Sequence, residues 1–151
     1  MLPVKKILCP TDFSEPSLVA LETARELAEH FDAELRVLHV LALAPPFPGG
    51  VVMVAAPDAY PSDAERFEVA RERLDELIRE HLPEHPRVVP EVRMGDAPHE
   101  IVFVAEQTDA DLIVIGTHGE TGWRHLAFGS VAETIVRMAH RPVLTVHGEP
   151  A

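Results

Sequence analysis

Five short apolar runs alternate along this chain with four longer segments whose apolar residues recur at helical spacing. The runs cover residues 4–9, 35–40, 88–94, 112–115 and 142–147. Few folds accommodate that order. Each run can rejoin a sheet only through a crossover that lays its helix on a sheet face, and right-handed crossovers leave little but a parallel arrangement. The expected fold is α/β, an open five-stranded parallel sheet with helices on both faces.

The helical segments carry their own start signals. Ser14 caps the first, Pro16 sits in its first turn, and Leu18, Leu21, Ala24, Ala28 and Phe31 form its inner stripe. Ser62-Asp63-Ala64-Glu65 is a capping box, followed by a stripe of Phe67, Ala70, Leu74, Leu77 and Ile78. Asp96 caps a third helix carrying Ile101, Val104 and Ala105. Ser130-Val131-Ala132-Glu133 reads as another capping box, with Ser130 as N-cap of a helix running to His140. Residues 112–115 are apolar without alternation, as in a strand covered on both faces, whereas Pro90, Glu91 and Arg93 place 88–94 at a sheet edge.

The length of 151 residues fits one domain, 1–151, with a long loop at 41–61. Thirteen basic residues against 25 acidic ones give a net charge of −12, which argues against a nucleic-acid partner. The lone Cys9 excludes an internal disulfide and a cysteine-rich metal site, and it fits a reducing compartment. The start, Met-Leu-Pro-Val-Lys-Lys, lacks the order of a secretory signal. Residues 40–57 contain no charge, yet Pro45, Pro46, Pro48, Gly49 and Gly50 rule out a spanning helix. A soluble, cytoplasmic protein with no membrane partner is expected. The run Val51-Val52-Met53-Val54 calls for burial, as a lid, against the body or in a second subunit.

In open α/β sheets, ligands bind beyond the carboxyl ends of the strands. Two strand ends stand out. The first exits into Pro10-Thr11-Asp12-Phe13-Ser14, where Asp12 either meets a ligand or brackets the helix start. The fourth exits into Gly116-Thr117-His118-Gly119-Glu120-Thr121-Gly122 and continues to Phe128-Gly129-Ser130. Separate glycines ahead of a helix N-terminus let backbone amides converge on an anion. No Lys follows Gly129-Ser130, which excludes a P-loop, and the glycine spacing fails the dinucleotide pattern. His81 and His85 are four apart, but Pro83 breaks the helix that a metal pair would need.

Gly116-x2-Gly119-x9-Gly129-Ser130, after Leu112-Ile113-Val114-Ile115, resembles the nucleotide motif of the universal stress protein family. Lys6-Ile7-Leu8-Cys9-Pro10-Thr11-Asp12, Leu38-His39-Val40, Ser130-Val131-Ala132-Glu133 and Arg141-Pro142-Val143-Leu144 extend the resemblance along nearly the whole chain. It implies a Rossmann-like, adenine nucleotide α-hydrolase-like fold of strand order 3-2-1-4-5, with the first and fourth strands side by side. In the family's ATP-binding branch, residues matching Pro10, Thr11 and Asp12 contact the adenosine, and the backbone at Val40 lines the adenine. Those matching Gly116, Gly119 and Gly129 hold ribose and phosphates, with Ser130 and Val131 at the helix start and a divalent ion such as Mg²⁺ often present. His118, between the first two glycines, is a candidate phosphate donor. Glu120 stands where many members carry Arg, with Arg124 and His125 as compensating charges. The resemblance further implies a homodimer through the edge strand 143–146.

The function expected is that of a stress or regulatory protein that binds ATP, ADP or AMP and acts through ligand-dependent conformation or partner choice. The alternative is a dimeric interaction protein of the same fold that does not bind ATP. No carboxylate or histidine is placed to orient an attacking water, and there is no catalytic lysine, so any ATPase activity is expected to be weak.

Overall fold

The computed structural model describes residues 2–43, 61–85, 87–117 and 129–148. Within them the elements follow one another as β1 (Lys6–Pro10), α1 (Glu15–Phe31), β2 (Glu34–Leu41), α2 (Asp63–His81), β3 (Val88–Met94), α3 (Ala97–Gln107), β4 (Leu112–Gly116), α4 (Ser130–Met138) and β5 (Val143–Val146). All neighbouring strands pair in parallel, in the order β3-β2-β1-β4-β5.

The sheet divides two apolar cores. Alternate residues of each inner strand point to opposite faces, so strands covered on both sides must be apolar throughout. Ile7, Cys9, Leu35, Val37, Val92 and Val114 pack under α1 and α2, against Ala20, Leu21, Ala24, Leu74 and Leu77. Leu8, Leu38, Ile113 and Ile115 pack on the other face under α3 and α4, against Ile101, Val104, Ala105, Ala132 and Ile135. Burial pushes the Cys9 thiol up to about 12, so it is an inert core residue. Pro90 is accommodated because, among the described residues, β3 is an edge strand that pairs with β2 alone. No helix among the described residues is long and apolar enough to cross a membrane.

Three helix starts follow local rules. The Ser14 side chain accepts from the Ser17 amide, Ser62 and Glu65 form the reciprocal box, and Asp96 accepts from the His99 amide. The fourth differs from expectation: Gly129 is the N-cap of α4, Ser130 is its first helical residue, and no side chain caps it. The reason is a long-range bond. The Gly129 amide donates to the Thr117 carbonyl, which holds Gly129 extended while Ser130 already turns into the helix. Glu133 pairs with Arg137 at 2.9 Å instead of closing a box. The helix also stops at Met138 rather than His140, because Ala139 is extended. Phe31 and Phe67, read as inner-stripe residues, are 36% and 37% exposed at the two helix ends where they sit.

Candidate functional site

From β1 the chain steps outward through β2 and β3, returns across α3 to β4 beside β1, and then continues the opposite way to β5. Connections therefore diverge above the β1–β4 pair, which opens a crevice between them. A cavity of about 320 Å³ lies there. Pro10, Thr11 and Asp12 line it from the β1 exit, Val40 from β2, Gly116 from β4, and Gly129, Ser130 and Val131 from the start of α4. His118 and Gly119 lie outside the described residues, as do Glu120, Arg124, His125 and positions 44–60 of the long loop. Sequence reasoning missed Ser17, Leu38, Ala97, Ile101, Ile115, Thr117 and Ala132, which complete the wall. Most of these are apolar residues facing the α3–α4 core, so the base of the cavity continues that core upward.

The β1 exit is held by a ring of hydrogen bonds. Thr11 N–H donates to the Leu38 carbonyl at 2.8 Å, and Phe13 N–H donates to Thr11 Oγ1 at 3.1 Å. The Ser17 hydroxyl gives its single proton to the Ser14 carbonyl at 2.7 Å, so Thr11 must be the donor in the 3.0 Å contact between Thr11 Oγ1 and Ser17 Oγ. Asp12 Oδ1 accepts both the Ser14 amide and the Ser14 hydroxyl. Asp12 thus brackets the helix start and lines the cavity at the same time, and among the described residues it is the lining's sole carboxylate.

The β4 exit is shaped by space rather than by polar groups. A Cβ added at Gly116 would come within 2.7 Å of the Pro16 carbonyl oxygen, because the first turn of α1 presses directly on the strand. Thr117 is fully buried, with its amide on the Val146 carbonyl at 3.0 Å and its hydroxyl 3.0 Å from His147 Nδ1. Beyond it, the N-cap of α4, Gly129, has no side chain. The first amide to find an acceptor within that turn is Glu133, on the Gly129 carbonyl at 3.0 Å. The amides of Ser130, Val131 and Ala132 precede it, and all three residues line the cavity. Such a start carries unpaired donors and the positive end of the helix dipole. The α3 start is different, since the Asp96 carboxylate occupies it, and hydrogen bonds from His99 hold that carboxyl below its usual range.

A chain of net charge −12 therefore presents, at one strand-end crevice, an apolar slot flanked by one carboxylate and one open helix N-terminus. No group of three or more histidine, cysteine or acidic side chains among the described residues is placed to hold a metal ion.

The sequence model of the universal stress protein family matches residues 3–147. The chain belongs to that family. Universal stress protein MJ0531 of Methanocaldococcus jannaschii is 36% identical over 143 residues, spanning 94% of this chain and 81% of that protein. The solved structure of MJ0577 from the same organism superposes with a TM-score of 0.73 at 27% identity, covering 98% of this chain and 99% of the other. A universal stress protein from Archaeoglobus fulgidus, solved in complex with dAMP, shares the fold at a TM-score of 0.60 and 24% identity, covering 96% and 98% of the two chains.

Proposed function

We propose that this universal stress protein binds an adenine nucleotide, ATP or its ADP or AMP counterparts, in the β1–β4 cavity and acts as a stress or regulatory protein through ligand-dependent conformation or choice of partner. The observation that carries the reading is the uncapped start of α4, whose Ser130, Val131 and Ala132 line a cavity with an apolar side on β2 and α3 and a carboxylate, Asp12, on the β1 exit. In this reading Leu38, Val40, Ala97 and Ile101 enclose the base, and Asp12 accepts from a ribose hydroxyl. The amides of α4 take phosphate oxygens. The family motif assigns Gly119 to the phosphates as well, and His118 beside it in sequence is the further candidate donor. The dAMP complex of the Archaeoglobus fulgidus protein supports an adenine nucleotide on this fold.

The Mg²⁺ that the resemblance implies would be held by the nucleotide's own phosphate oxygens and water, since Asp12 is assigned to the ribose. Hydrolysis is expected to be slow, because Asp12 already commits Oδ1 to Ser14. The same reading places the protein in the cytoplasm as a homodimer through residues 143–146. In support, β5 pairs only with β4 among the described residues, and Leu144 on it is 38% exposed. Equilibrium binding of labelled ATP to the purified chain with Mg²⁺ tests the reading. Saturable binding is expected. Its absence at large nucleotide excess, for ATP, ADP and AMP alike, leaves the non-binding interaction protein as the better account.

A further inference from the structure

On the far side of the sheet from the cavity stands a small cluster built around His39. The residue directly precedes Val40 on β2, so the pleat turns its ring toward α1 and α2 while Val40 faces the cavity. Its Nδ1 lies 2.8 Å from the Thr11 carbonyl oxygen. A carbonyl only accepts, so Nδ1 carries the proton and donates. The ring also sits 4.5 Å from that of Phe13, tilted by 44°, and the Arg73 guanidinium of α2 stands 4.2 Å from the Phe13 centroid. Phe13 has a φ of 65°, a left-handed conformation that bulky residues avoid and that persists only where the surroundings hold it.

Thr11 shows what this holding accomplishes. Its amide is on Leu38, its hydroxyl on Ser17 and the Phe13 amide, and its carbonyl on His39. Every polar atom of Thr11 has a partner within the protein, so Thr11 is held fixed where it walls the cavity. What it determines is the position of the next residue, Asp12. We infer that His39 is a positioning residue of the nucleotide site: from the opposite face of the sheet it holds the Thr11 carbonyl and the Phe13 ring, and so sets the Asp12 carboxylate against the ligand. The inference rests on the adenine-nucleotide reading above. Burial draws the His39 pKa below the ordinary histidine value and Arg73 adds to that pull, while the Thr11 carbonyl and Asp12 oppose it. A neutral ring keeps one proton, and the geometry assigns it to Nδ1.

Two measurements on the full chain test this. Long-range ¹H–¹⁵N NMR of the wild-type imidazole at pH 7.5 should show Nδ1 protonated and Nε2 bare, the reverse of the tautomer that free histidine prefers. An Nε2–H tautomer overturns the inference whatever the ligand does. Calorimetric titration with ADP then compares wild type, His39→Leu and His39→Asn, the last of which places an amide N–H where Nδ1–H stood. Losing the bond should weaken binding about tenfold in His39→Leu, with His39→Asn restored to within about threefold of wild type. Equal affinity of His39→Leu and wild type, or an Asn variant as weak as the Leu variant, overturns the positioning role and leaves the nucleotide reading intact. A wild-type chain that binds no adenine nucleotide removes that reading, and this inference with it.

Discussion

Replacing Gly116 by alanine adds one methyl group at the most crowded point of the site. Its Cβ would lie 2.7 Å from the Pro16 oxygen, 3.0 Å from the Pro16 carbonyl carbon and 3.3 Å from the Ser17 nitrogen. The first contact is about 0.8 Å inside the ~3.5 Å optimum of a nonbonded pair, and all three partners are backbone. α1 cannot retreat freely, because Ala20, Leu21, Ala24 and Ala28 are almost wholly buried against the sheet. Overpacking of this kind costs about 1–3 kcal/mol. Gly116 has no left-handed φ, so alanine also recovers about 0.4–1 kcal/mol by restricting the unfolded chain. The clash wins by about 1–2 kcal/mol, or roughly 2–8 °C in Tm for a domain of this size. Urea unfolding at 25 °C with an unchanged m-value reads the difference directly. Gly148→Ala serves as the control, since nothing lies within 4 Å of a Cβ there. A Gly116→Ala midpoint equal to wild type would refute the claim that α1 and β4 are locked in contact.

Ser130→Pro removes one α4 amide while keeping helical geometry, because Gly129 is already extended as a residue before proline must be; nucleotide affinity should fall about 10- to 100-fold with little change in circular dichroism. His39 has a folded pKa below its unfolded value of 6.5, so its contribution to stability is complete above pH 6.5 and is lost as pH falls and the unfolded chain takes up the proton first. His39→Asn cannot titrate, and its urea midpoint should therefore vary less between pH 7 and 5 than that of wild type. The carbonyls of Pro142, just before β5, and of Val146, at its end, face β4, so by alternation the Thr145 amide faces the open edge. Thr145→Pro should then leave the fold standing and convert a dimer to monomer in sedimentation velocity, whereas an unchanged sedimentation coefficient would place the interface elsewhere.

What local chemistry controls was legible in the sequence. Ser14, Ser62 and Asp96 cap helices through atoms three residues away, and Pro90 marks an edge because it lacks an amide anywhere in a sheet. Ser130 misled because a distant carbonyl, that of Thr117, decided where α4 begins. The adjacency of β1 and β4 was not available from strand and helix order, which several right-handed topologies satisfy, and rested on the family motif. Gly116 was read as a glycine that admits a ligand, and the structure adds a second reason for it in the carbonyl of Pro16. Ser17 and Thr117 left no signal, since each matters only through partners brought near by folding.

The partition of the interior by the sheet has a consequence for how such a chain can diversify. Residues above one face share neighbours with each other and very few with those below, so changes on the two sides should combine almost independently. The α3–α4 layer supplies most of the cavity wall, while the α1–α2 layer packs the larger core. On the proposed reading, a lineage can retune the ligand through the α3–α4 layer and leave the α1–α2 core untouched, the His39 link to Thr11 excepted.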